Sequence, residues 1–156
     1  MPYSMFYACF PDVAERETRT ILVPAGSDIG LPADEYGFIE LYCNEPGCDC
    51  RRVFWQVMSR QRQDAVAVVA WGWEPRAFYA KWMHSDNARD IDELKGPVLN
   101  LASPQSELAP AILNLVENAL LKDAAYVERV RRHYRMFREQ IDGGGSRKPQ
   151  LGRPRR

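Results

Sequence analysis

Histidine is scarce in this chain, which has only His84 and His133 among its 156 residues. That leaves little room for acid–base catalysis built on imidazoles. There is no P-loop, no dinucleotide-binding glycine pattern and no nucleophile elbow, so those phosphate, nicotinamide and serine-hydrolase chemistries have no footing. Long apolar runs are missing too. The most apolar segment, Ala65 to Trp73, is about half the length needed to cross a bilayer. The stretch M-P-Y-S-M-F-Y-A-C-F-P at the N-terminus has no basic region and no apolar run of signal-peptide length, and Pro11 interrupts it. The expectation is a soluble, cytoplasmic protein without membrane contact. Net charge is also zero, yet the two ends differ. Residues 1–122 carry 11 Lys/Arg against 17 Asp/Glu, and residues 123–156 carry 10 against 4. Such asymmetry suits a basic tail that meets an anionic partner or docks on its own acidic body.

Apolar residues are plentiful. At 46% hydrophobic and 11% aromatic, the chain can bury a core without depending on staples. Its length suits one domain, expected over residues 1–142, with a disordered basic tail over 143–156. Glu17 to Val23 is β-rich and stops at Pro24, and Ala25 to Glu35 has the composition of a loop. Tyr36 to Cys43 alternates as a strand, with Ile39, Leu41 and Cys43 on one face and Phe38, Glu40 and Tyr42 on the other. Arg51 to Arg60 alternates likewise. Ala65 to Trp73 is apolar on both faces and reads as a central strand, and Ala77 to Met83 reads as a fifth. Successive hairpins of this kind favour an antiparallel meander.

The period then changes from two to 3.6. A short helix over Asp86 to Lys95 stops at Gly96, and a second is capped by Ser106. A third is capped by Asp123, with Val127, Val130, Tyr134, Phe137 and Ile141 as its stripe. The fold class is therefore α+β: a meander of four or five strands followed by two or three helices on one face. The stripe has the sheet or the preceding helix as its ordinary partner, and a homodimer seam as the alternative.

The most informative stretch is C-N-E-P-G-C-D-C-R-R, Cys43 to Arg52. Pro46 and Gly47 suit the centre of a type II turn. That turn brings Cys43 and Cys48 together, and Cys50, two residues on, points to the same side as Cys48 in an extended chain. In a reducing compartment clustered cysteines point to metal before disulfides, and zinc is the natural ion for thiolates presented by a turn. Two other readings stand beside it. Cysteines pack near turns without a ligand, and a Cys48–Cys50 redox pair would have a thiol pKa lowered by Arg51 and Arg52. Cys9, just upstream of the first strand, is the expected fourth ligand; His84, His133 and water are the alternatives. The acidic group Asp86, Asp90, Asp92 and Glu93 lacks the spacing of a calcium loop and reads as a solvated face.

A second partner class follows from the basic end. Arg129, Arg132 and Arg135 on the last helix, with Arg147 and Lys148 in the tail, form a possible phosphate-binding stripe for nucleic acid. The ordinary reading is that such arginines cover apolar surface and pair with acids. The run YGFIELYCNEPGCDCRRV (Tyr36 to Val53), together with RRHYRMF near the C-terminus, resembles a bacterial family of uncharacterised cysteine-containing proteins. The likeness spans most of residues 17–141. It implies a cytosolic bacterial setting and no particular activity. The functional expectation is a non-enzymatic, zinc-stabilised module acting through a protein partner, with nucleic-acid binding and thiol redox chemistry as alternatives.

Overall fold

A computed structural model describes residues 3–143. An antiparallel sheet forms the frame. Its long strands are β1 to β4 in our numbering: Arg19–Val23, Asp34–Cys43, Arg52–Ser59 and Asp64–Gly72. Each pairs antiparallel with the next, which is the expected meander. Two short strands complete a sheet of six. Tyr3–Met5, here βN, pairs with the Leu41–Cys43 end of β2, on the same edge that β1 uses over Asp34–Phe38. Val98–Leu99, here βC, pairs with Val69 and Ala70 of β4.

The α+β class stands, and the account of residues 76–82 needs correction. Arg76–Trp82 is a helix, α3, instead of a fifth strand. Pro75 stands at its N-cap, where a fixed φ suits the start of a helix. The outer edge of β4 is also already occupied. Besides βC, Asn100 and Ser106 donate backbone N–H groups to the Val68 and Val66 carbonyls, and the Gln105 side chain pairs with both backbone groups of Val68. Phe78, Ala80 and Trp82 alternate as in a strand, while Phe78 and Trp82 are also spaced i, i+4 as on a helix face. Tyr79 is the buried member of α3, and its ring reaches so close to Gly72 that any Cβ there would collide with it.

The remaining helices are α1 (Phe6–Cys9), α2 (Pro11–Glu17), α4 (Ala88–Lys95), α5 (Ala109–Asn118) and α6 (Ala124–Arg138). The first two replace what reads in sequence as an irregular lead-in. Asp123 caps α6 as expected, accepting from the Tyr126 N–H at 3.2 Å. Ser106 lies one turn ahead of α5, whose first residue is Ala109; its hydroxyl accepts from the Leu108 N–H.

The core lies on one face of the sheet. Tyr36, Phe38 and Tyr42 of β2 and Val53, Trp55 and Val57 of β3 meet Ile112 and Val116 of α5 and Val130, Tyr134 and Phe137 of α6. The stripe of α6 is thus covered by the sheet, with Tyr42 beside Phe137 and Trp55 beside Tyr126. The other face keeps a small cluster of Phe54, Val68 and Ala70 under Tyr3, Leu41 and Val98. Among the described residues no helix is long and apolar enough to cross a membrane. The expected tail beyond Gly143, with Arg147 and Lys148, lies outside the described residues.

Candidate metal centre

β2 ends at Cys43 and β3 begins at Arg52, so the whole cysteine motif occupies the connection between two paired strands. The turn forms as the sequence predicts. Cys48 N–H donates to the Glu45 carbonyl at 3.2 Å, and Gly47 takes φ 78°, which a side chain would strain. Arg51 also has a positive φ, 51°. Two tyrosines hold it there: Tyr79 Oη donates to the Arg51 carbonyl at 2.7 Å, and the Arg51 N–H donates to Tyr134 Oη at 3.1 Å. Such a conformation persists where surrounding contacts over-determine it.

The result is a group of three sulfurs. The Sγ atoms of Cys43, Cys48 and Cys50 all lie within 4.8 Å of one another. Three thiolates on one zinc at about 2.3 Å would sit about 3.8 Å apart, so small side-chain shifts would bring these atoms onto an ion. Cys43 and Cys50 are buried and Cys48 is half-buried, on the solvent side. Burial pushes the Cys48 thiol up to about 12, with the neighbouring Cys50 and Cys43 sulfurs adding to it. Burial also raises Cys50, helped by Cys43, while Arg52 and the Tyr3 hydroxyl pull the other way. Arg52 does lower Cys50, as expected of the arginines, yet the net direction at Cys48 and Cys50 is upward. Removing water and crowding three sulfurs outweighs them.

The last helix clamps this loop from beneath. Arg138, buried, donates to the Cys43 carbonyl at 2.5 Å and to the Glu45 carbonyl at 2.8 Å. Its guanidinium is held in turn by Asp142, whose carboxylate also accepts from the Gly47 N–H at 2.8 Å. Tyr134 Oη donates to Asp49. On the other side βN lays Tyr3 opposite Cys43; the Tyr3 hydroxyl accepts from Arg52 at 3.2 Å and interacts with Cys50. Arg51 turns outward to Asp49 and Glu74 and lies over the Phe78 ring. The arginine that serves the sulfurs is Arg52, acting through Tyr3. Sequence reasoning missed Tyr3, Tyr79, Tyr134, Arg138 and Asp142, because each is distant from the motif in sequence: Tyr3 on βN, Tyr79 on α3, Tyr134 and Arg138 on α6, and Asp142 just beyond it.

Compared with family models, curated proteins and solved structures, the chain matches none.

The other candidates fall elsewhere. Cys9 sits in α1, packed at the margin of the core, and is not among the three clustered sulfurs. His84 is exposed in the turn after α3. His133 is buried and committed: Nδ1 meets Glu40 Oε1 and Nε2 meets Glu17 Oε1, both at 2.7 Å. Glu40 also accepts from Tyr42 Oη at 2.6 Å and Tyr126 Oη at 2.7 Å, and Trp55 donates to Tyr126. A strand glutamate on an aromatic face and a histidine on a helix stripe were the signals for this buried knot.

The basic stripe is largely paired. Arg129 donates to the Glu17 carbonyl and lies over Tyr126, Arg132 pairs with the Glu17 carboxylate, and Arg135 pairs with Glu128. The acidic residues Asp90 and Asp92 lie on α4, where Asp92 pairs with Arg76 and Glu93 with Arg89.

Proposed function

We propose that Cys43, Cys48 and Cys50 bind a zinc ion, and that the loaded corner is a non-enzymatic module through which the protein engages a partner protein in the cytoplasm. One observation carries the reading: three sulfurs converge within 4.8 Å at a loop held by tyrosine, arginine and aspartate contacts from three other elements. Soft thiolates select zinc or copper(I) over hard cations, and zinc is the redox-silent choice for a structural corner. The surrounding core does not depend on the ion, since Trp55, Phe38, Ile112 and Phe137 are buried independently of it.

Metal analysis of protein purified without added zinc, with thiol titration before and after a chelator, tests this. The expected result is about one equivalent of zinc and three thiols that become reactive only after chelation; less than about half an equivalent would remove the proposal. Nucleic-acid binding has weaker support, because Arg129, Arg132 and Arg135 already have acidic, carbonyl or ring partners.

A further inference from the structure

Three sulfurs leave a tetrahedral ion one donor short. The candidates within the chain are spoken for or elsewhere. Cys9 is outside the sulfur group, both nitrogens of His133 face carboxylates, and the Tyr3 hydroxyl is engaged by Cys50 and Arg52. Among the described residues no other cysteine, histidine, aspartate or glutamate joins the three. Residues 1, 2 and 144–156 contain none of these four residue types.

The geometry also has a direction. Cys43 and Cys50 are buried, with βN and α6 behind them, whereas Cys48 and the Glu45–Gly47 turn face solvent. A donor from outside would reach the sulfurs from the Cys48 side, where the loop meets solvent. Charge favours a soft anionic donor there. The buried guanidinium of Arg52 adjoins Cys50 and donates to the Tyr3 hydroxyl, and Arg138, paired with Asp142, adds N–H donors on the Cys43 and Glu45 carbonyls. Cationic and N–H donors behind the sulfurs offset the charge that a fourth thiolate would add to a zinc–thiolate centre.

Resting on the metal reading above, we propose that the fourth ligand is a cysteine thiolate supplied from outside the chain, so that a partner polypeptide closes the site. On binding, the incoming thiol loses its proton to solvent, its sulfur bonds to the ion, and a water leaves. No oxidation occurs.

Cobalt(II) in place of zinc reports sulfur number through its sulfur-to-metal charge-transfer absorption. The full chain is loaded with cobalt(II) and titrated with the tripeptide Gly-Cys-Gly, with Gly-Ser-Gly as control. The expected result is a saturable rise in that absorption of about one-third, as three sulfur donors become four, with no response to the serine peptide. Cys9→Ser should behave like the parent. A spectrum unmoved by Gly-Cys-Gly would overturn the proposal while leaving the metal site in place. So would a loss of about one quarter of the band in Cys9→Ser, which would mean that the chain closes its own site. Failure of the parent chain to take up cobalt at all would overturn both this proposal and the metal reading beneath it.

Discussion

Two polar clusters hang on the same two elements, β2 and α6, and they are built in opposite ways. The thiol corner takes Cys43 from the end of β2 and is clamped by Arg138 of α6. Three residues earlier on β2, Glu40 faces the core and binds His133, five residues earlier on α6. In the corner, three like groups crowd together, and burial with the neighbouring sulfurs raises the Cys48 and Cys50 thiols. In the knot, unlike groups satisfy one another: a carboxylate with three donors, and an imidazole with two carboxylates. A cluster complete in itself is structural. A cluster of three like sulfur ligands is the arrangement on which the zinc proposal rests.

The comparison breaks most sharply at Glu40. Glu40→Ala leaves His133, Tyr42 and Tyr126 buried without their acceptor, and a loss of about 3–5 kcal/mol in urea unfolding is expected. Cys48→Ser in metal-free protein should cost under about 1 kcal/mol, since a half-buried thiol leaves a polar isostere on the solvent side. Equal costs at the two positions would erase the distinction.

Arg138→Met sits between the regions. It strips the Cys43 and Glu45 carbonyls of their donors, with an expected loss of about 2 kcal/mol, and zinc affinity measured against a competing chelator should fall with it. A variant with unchanged zinc affinity would show that the clamp supports the fold alone.

The smallest effect is in acid. The His133 contact beside Glu17 holds its carboxyl below the ordinary 4.5, with Arg132 contributing. A depressed carboxylate stabilises the fold above its unfolded value, and that contribution is lost as pH falls through the folded one. Thermal midpoints followed below pH 4.5 should therefore fall more steeply for the parent than for Glu17→Gln. Parallel curves would remove Glu17 from the knot.

Alternation made β2, β3 and β4 legible, and the caps at Asp123 and Gly96 bounded their helices. Residues 77–83 were not legible as helix, because a run so short carries less than two helical turns and its aromatics fit either period. Glu40 was on the correct face in the pattern, opposite Ile39, whereas His133 amid Arg131, Arg132 and Arg135 reads as a surface residue and is buried instead. Their pairing is invisible in sequence, since 93 positions separate them.

The hairpin turn and the nearness of its three cysteines were local matters, set by Pro46, Gly47 and the strands on either side. Backbone preferences act within a few residues, so the chain dictates them unaided. Which groups stand behind the sulfurs, and whether a fourth donor exists, was decided only when β2 received α6 on one face and βN on its edge. Those contacts join residues 3, 43, 50, 52 and 138, and only packing of distant segments can bring them to one place.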